Sequence, residues 1–419
     1  MGDKSSRKYP DCTPTCFNFL RKIIPLILKN KNTDRLPLEI ESNILQRIPA
    51  EPLLGLQSVC KRWRDEINNP YFIKSHTGKF NANSMSLILF GYGELQCNLY
   101  SLNYHNSTLE FKKLAGHDSN VVGGCCNGLV CFRKFVDHRS TVRFSLHNPI
   151  TGTIMNNIPH LVVPNYQNYH EELVVFGYDC INDDYKIFYS VQHNNNDDNN
   201  NEDNDNNRDT TWLYSLKRNS WKSIKPLPRG YSCGISNNMS SYWLIRKPDY
   251  TYHGVSGFDF ESEEYHDVIP MPDDDDQGGY ILYKLVDLRG CLHLVKYTLE
   301  CTMDVWVLKK NRSWVKLIHR LSLKQALESD ELVPNRFLGS ISVIVYCPPL
   351  PYAYSEDGSE ILIGLGQYIM AFVRYDLRTG ELKPVVMSGE PPHDWVRVKN
   401  ALRGMPWTGS LVSISNSSS

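Results

Sequence analysis

Several clusters in the 419-residue chain have residue types that could do chemistry. Cys125, Cys126 and Cys131 with His138 offer thiols and an imidazole within a short span, the donor set of a zinc site. They lack a second pair at ligand spacing, and alternation along strands would send neighbours to opposite faces, so buried thiols are expected instead. Asp273 to Asp276 concentrates carboxylates but has neither the interleaved spacing nor the glycine of a calcium loop, and is expected to be a solvated turn. His170-Glu171-Glu172 and the pair Cys291 and His293 fare no better. Lys61-Arg62-Trp63-Arg64 mixes cations with an aromatic, a pattern that can stack on nucleic-acid bases, yet Trp63 is already explained by an apolar helical stripe. There is no phosphate-cradling Gly-rich loop with Lys, no His-Glu-x-x-His, no Gly-x-Ser-x-Gly and no Cys-x-x-Cys. No catalytic residue, metal ligand or cofactor site is expected from local motifs.

The charge balance points the same way. Lys plus Arg number 45 against 46 for Asp plus Glu, a formal net charge of -1, so no overall field draws nucleic acid or an anionic membrane. Hydrophobic residues at 41% and charged residues at 22% are ordinary for a folded protein, and 24 Tyr with 8 Trp favour strands. Twelve Cys scattered without a secretory leader suggest reduced thiols and a location in cytoplasm or nucleus. Phe17 to Leu28 is too short and too interrupted to span a bilayer. Met1-Gly2 formally fits a loose myristoylation pattern, but Asp3 disfavours it.

The elements that would position any site fall into two kinds. Residues 1–33 are expected to form a basic, flexible N-terminal extension. Beyond it, Ile40, Ile44, Leu45 and Ile48 share one helical face that ends at Pro49, Pro52 suits the first turn of a second helix, and Val59, Trp63 and Ile67 form a third stripe closed by Asn68-Asn69-Pro70. A unit of about 40 residues is near the lower limit for folding alone, so it should complete its core against a neighbour. After Phe80 the pattern changes to strands, and a phrase recurs at Leu99–Leu102, Phe144–Leu146, Leu213–Leu216, Gly257–Phe260, Val305–Leu308 and Val373–Leu377, each preceded by another apolar strand. Three of the five intervals are about 45 residues, the period of propeller blades, and the two longer ones, 144 to 213 and 305 to 373, hold polar or proline-rich insertions; a pair of β-sandwiches is the alternative. The Asn/Asp-rich run 193–209 cannot bury apolar area and is expected to be a disordered loop. Residues 391–419 are expected to be a C-terminal segment with a disordered tail.

The residues Leu36-Pro37, Glu39-Ile40, Ile44-Leu45, Arg47-Ile48-Pro49, Leu53-Leu54, Ser58 to Arg64 and Pro70-Tyr71-Phe72-Ile73, ending at His76, resemble an F-box over 34–76. Cys126-Asn127-Gly128-Leu129, Asn148-Pro149-Ile150-Thr151-Gly152, Phe176-Gly177-Tyr178-Asp179 and Asp184-Tyr185-Lys186-Ile187 resemble the F-box-associated domain of plant proteins, here over 80–390. The glycine doublets of true kelch repeats do not recur at the blade period. The resemblance implies a small all-α three-helix F-box followed by an all-β, kelch-like propeller, with six blades expected. It further implies a non-catalytic substrate-recognition subunit of a Skp, cullin and F-box ubiquitin ligase, which holds a protein substrate for ubiquitination and degradation. Carried over by motif, the Skp-adaptor face would be Leu36, Pro37, Ile40, Ile44, Leu45, Ile48, Pro49, Leu53, Val59, Cys60 and Trp63. The substrate and its contacts are not implied, although Tyr166, Tyr169, Tyr250 and Tyr252 suit a loop-borne surface. An enzyme whose residues converge across blades, or a scaffold outside any ligase, stays open because fold does not decide function.

Overall fold

The structure is a computed structural model that describes residues 36–414 apart from 84–85, 93–96, 106–107, 118–120, 137–140, 164–168, 194–208, 228–229, 238–239, 248–250, 273–281, 299, 324–348, 356, 366–370 and 389–402. The N-terminal extension 1–33, most of the Asn/Asp-rich run and the final residues of the tail therefore lie outside the described residues, as do His138 and Asp273 to Asp276.

Pro37, its φ fixed near the helical value, starts α1 (Leu38–Leu45), and Pro49 likewise starts α2 (Ala50–Leu56). Next come α3 (Lys61–Ile67) and α4 (Pro70–Asn83). The fourth helix adds to the three expected. Asn68-Asn69-Pro70 had the composition of a stop, but a proline in the first turn lacks no needed donor, and Asn69 accepts the Tyr71 amide at 2.9 Å to begin the new helix. Leu45, Ile48, Ala50, Leu53, Leu56, Trp63, Ile67 and Phe72 form the shared core of the helices.

Among the described residues the strands build six sheets in a ring, antiparallel except at the outer edge of the first, where one pair runs parallel. The second consists of β4 (Val121–Cys126), β5 (Leu129–Val136), β6 (Thr141–Asn148) and β7 (Thr153–Met155), with β8 (Leu161–Val162) beside β6. The third runs from β9 (Tyr169–Asp179) through β10 (Asp184–His193) and β11 (Thr210–Ser215) to β12 (Ser220–Ile224), and the fourth holds β13 (Tyr231–Asn237) to β16 (Ile269–Pro270) around β14 (Ser240–Arg246) and β15 (Tyr252–Asp259). The fifth comprises β17 (Leu282–Leu288), β18 (Cys291–Tyr297), β19 (Thr302–Leu308) and β20 (Trp314–Ser322). The sixth comprises β21 (Leu350–Tyr354), β22 (Glu360–Leu365), β23 (Ala371–Asp376) and β24 (Leu382–Pro384). The innermost strands β4, β9, β13, β17 and β21 touch in succession around the axis.

The first sheet is assembled from both ends of the propeller. Its order is β25 (Val386–Ser388), β3 (Thr108–His117), β2 (Cys97–His105), β1 (Ser86–Tyr92) and β26 (Arg403–Pro406). Thus β26, which lies beyond the expected domain end at 390, is the innermost strand of the first blade and touches β21 and β4 to close the ring. Closure satisfies the backbone groups along the free side of β1 and removes an open edge.

All six recurring phrases lie on the third strands of the blades. Three of their turns share a cause: Asn148, Asp259 and Asp376 end β6, β15 and β23 and accept the amides two and three residues on, at 2.7 to 3.3 Å. Consecutive residues of each second strand serve opposite seams. Ile187 and Tyr189 face blade 2 while Phe188 faces blade 4; Leu294 faces blade 4 while Val295 faces blade 6. Burial on both faces is why these strands read as continuous apolar runs.

Candidate functional site

The eleven expected adaptor-contact residues separate into three groups. Leu36, Pro37, Ile40 and Pro49 are exposed, Leu36 at 38% and Ile40 at 47%, with Leu38 beside them at 41%. Ile44, Val59 and Cys60 are half-buried. Leu45, Ile48, Leu53 and Trp63 are inside the helical core, where they shape the unit and present nothing to a partner in this conformation. The helical stripe could not distinguish inside from rim, because both carry apolar side chains at the same spacing.

The exposed segment is held in place by Glu41 and Arg62, a role that the sequence pattern does not show. Glu41 is buried; its carboxylate accepts a hydrogen bond from Trp63 Nε1 at 3.1 Å and pairs with Arg62 Nε at 3.4 Å. Arg62 Nη2 in turn donates to the Leu36 carbonyl at 3.3 Å. The chain entering α1 is therefore clamped to α3, and Ser42 Oγ adds a second tie by donating to Glu66 at 2.6 Å. Glu41 sits in the first turn of α1, where an acid is favoured by the helix dipole; that local explanation hid its tertiary role. His76 closes the unit from below. Its Nε2 donates to the Ile48 carbonyl at 2.7 Å, and burial holds the imidazole below its usual range.

The helices rest on one end of the ring, at the turns within blades. Ile150 of the β6–β7 turn and Leu411 join the helical core, and Lys74 reaches Asp183 of the β9–β10 turn at 3.4 Å. The ends of β10, β16 and β20, where the long connections 194–209, 271–281 and 323–349 depart, face the opposite way. Of the four tyrosines suited to a loop-borne surface, Tyr252 lies at that far end, against Tyr283 at 5.2 Å and within 3.3 Å of Arg246 Nη2. Tyr166 and Tyr250 are outside the described residues, as is the side chain of Tyr169.

The clusters that suggested chemistry have structural surroundings. Cys126 and Cys131 are buried and Cys125 half-buried, all free thiols pushed far up by burial. Glu172 pairs with Arg133. No group of three or more His, Cys, Asp or Glu among the described residues is placed to hold a metal ion, and no described helix is long and apolar enough to cross a membrane.

The fifth blade holds two shifted groups on one hairpin. His293 Nδ1 donates to the Cys291 carbonyl at 2.8 Å, leaving Nε2 to accept from Tyr354 at 2.9 Å; burial pulls its pKa down to about 4. Burial pushes the Asp287 carboxyl up to about 7, opposed by the Gly290 amide. His293 prefers to be neutral when folded, so its contribution is full above pH 6.5 and is lost as pH falls toward 4. Asp287 prefers to be protonated when folded, so its contribution is full below pH 3.8 and is lost as pH rises toward 7. The two oppose each other between pH 4 and 6.5. Asp287→Asn is expected to raise stability at pH 8 and to uncover the acid-side loss from His293, about 3 kcal/mol. Urea unfolding at pH 8, 6.5 and 4.5 measures both, and an unchanged pH profile would contradict the assignment.

Residues 34–75 match the family described as F-box domain, and residues 88–346 match the F-box associated beta propeller domain. Among curated relatives, an F-box/kelch-repeat protein of Arabidopsis thaliana is 30% identical over 308 residues, covering 68% of this chain and 79% of that protein. The F-box protein CPR1 of the same plant is 26% identical over 376 residues, covering 83% of each chain.

Proposed function

Because the chain belongs to the F-box proteins that carry an F-box-associated β-propeller, we propose that it is the substrate-receptor subunit of a Skp, cullin and F-box ubiquitin ligase. The F-box docks on a Skp-type adaptor and through it on a cullin. The propeller holds a protein substrate for ubiquitination and degradation. The observation that carries this reading is the exposed apolar segment Leu36-Pro37-Leu38 with Ile40, held by Arg62 and Glu41 ready for a partner. Apolar anchors at a preformed site contribute affinity because little ordering remains to be done on binding. Of the expected contacts, Leu36, Pro37, Ile40 and Pro49 would meet the adaptor directly, Ile44, Val59 and Cys60 at its margin, and Leu45, Ile48, Leu53 and Trp63 from beneath.

The receptor needs no reactive side chain or cofactor. Holding a substrate lysine near a charged conjugating enzyme makes the transfer near-intramolecular, which lowers the barrier by itself. The end of the ring away from the helices, with Arg246, Tyr252 and Tyr283, is the proposed substrate end, since a partner there would not collide with the adaptor. The buried reduced thiols Cys126 and Cys131 fit a location in cytoplasm or nucleus. Leu36→Ala combined with Pro37→Ala is expected to weaken adaptor binding at least tenfold in a calorimetric titration, with thermal unfolding of the propeller unchanged. Wild-type binding no tighter than that of the double variant would overturn the reading.

A further inference from the structure

The peptide after β26 does more than leave the ring. It emerges at the end of the propeller where the helices sit, and its residues are shared between the two parts. Trp407 is buried between the first two blades and donates its indole N–H to the Gly128 carbonyl at 3.1 Å. Ser410 Oγ donates to the Asn127 carbonyl at 2.6 Å. Asn148 donates from Nδ2 to the carbonyls of Ser410 at 2.9 Å and Val412 at 2.8 Å, while its Oδ1 accepts the amides of Ile150 and Thr151.

The side chains then alternate. Leu411 enters the core of the helices, and Val412 and Ile414 enter the seam between the second and third blades. Gly128 makes room for this path: its φ is +79°, and a Cβ there would stand 2.6 Å from Ser410 Cβ and 2.7 Å from Ser410 N. The other named ties between helices and ring include Lys74 with Asp183, both exposed, and Glu51 with Lys112, ion pairs of a kind that contribute little. Apolar continuity runs through Leu411 and Ile150.

We propose that residues Trp407–Ile414 are the joint that fixes the F-box relative to the propeller, and that Leu411, Ser410, Asn148 and Gly128 are positioning residues for ubiquitin transfer. The second part rests on the receptor reading above. A rigid joint keeps the substrate lysine at one distance from the conjugating enzyme, and misplacement far from the chemistry lowers the rate without weakening either binding step.

The test uses the full chain bound to a Skp-type adaptor, with fluorophores at the exposed positions Asn43 and Arg218 reporting the distance between helices and ring. Leu411→Ala is expected to broaden the distance distribution. In reconstituted ubiquitination it should lower kcat about tenfold, with KM and adaptor affinity within twofold of wild type. Leu411→Met, which preserves the volume, should restore both. Gly128→Ala, which displaces the joint from the ring side and touches no helical residue, should reproduce the broadening, so unfolding of the helices cannot mimic the result. A distribution as narrow in Leu411→Ala and Gly128→Ala as in wild type would overturn the joint. A broad distribution with unchanged kcat would overturn its role in transfer. Absence of adaptor binding by the wild type would refute the receptor reading, while the distances measured on the free chain would still decide the joint.

Discussion

Lys186→Ala is expected to destabilise the propeller by about 3–5 kcal/mol, because it leaves charges buried without their partner. The Lys186 ammonium lies between blades 3 and 4, donating to Asp179 Oδ2 at 2.8 Å, to the Phe260 carbonyl at 2.5 Å and to Glu263 Oε1 at 2.9 Å. Lys186 and Asp179 are both buried. Burial alone would pull the lysine pKa down; hydrogen bonds and charge from Asp179 and Glu263 outweigh it and raise the value. Burial likewise opposes ionisation of Asp179, and the Asn182 and Lys186 bonds overcome it. The Phe260 carbonyl loses its donor as well. Urea unfolding of Lys186→Ala measures the loss. Lys186→Met combined with Asp179→Asn should recover part of it, because the uncompensated charge is then gone. An Ala variant within 1 kcal/mol of wild type would show that the cluster does not hold the seam between blades 3 and 4.

The second large effect is expected at Trp243, on the same seam. Its side chain is fully buried, stacked on Phe188 at 6.0 Å and edge-on to Tyr265 at 6.0 Å, in a cluster with Phe258 and Phe260. Trp243→Ala should cost about 3–5 kcal/mol through lost burial and the cavity left behind. Trp243→Phe should cost far less. The indole N–H has no hydrogen-bond partner among the described residues, so removing it sacrifices no bond and relieves a buried donor. A Phe variant as unstable as the Ala variant would mean that Nε1 is satisfied after all. Because Lys186 binds the carbonyl of Phe260 and Trp243 shares a cluster with its ring, the two losses should not add.

The same seam explains one of the phrases that made the propeller legible. In Phe176-Gly177-Tyr178-Asp179, Gly177 leaves room for the Phe260 ring, whose Cζ would lie 2.7 Å from an added Cβ, and Asp179 orients Lys186. Second and third strands were readable because burial on both faces demands continuous apolar residues, and because an Asn or Asp must turn the chain after several third strands. Innermost strands were harder. β26 is Arg403-Gly404-Met405-Pro406, and glycine and proline argue against a strand wherever both edges must pair. As the inner edge of its sheet it pairs only with β1, so Pro406 is tolerated. In the F-box, apolar periodicity located the helices but could not say which of Leu36, Ile40, Leu45 or Trp63 faces out. Glu41 and Arg62, whose task depends on α1 meeting α3, left no local signal at all.

That the ring is closed by β26 and the helical core completed by Leu411 also bears on how the protein is made. A ribosome releases the helices and β1 long before the residues that cover them. Until residues 403–411 are translated, β1 keeps an unpaired edge and the helices keep an apolar gap where Leu411 belongs. A polypeptide that stops before residue 403 therefore displays both defects together, one on the first blade and one in the helical unit. Synthesis through Leu411 is therefore what closes both parts, and a chain stopped short of β26 exposes an unpaired strand edge and apolar surface at once.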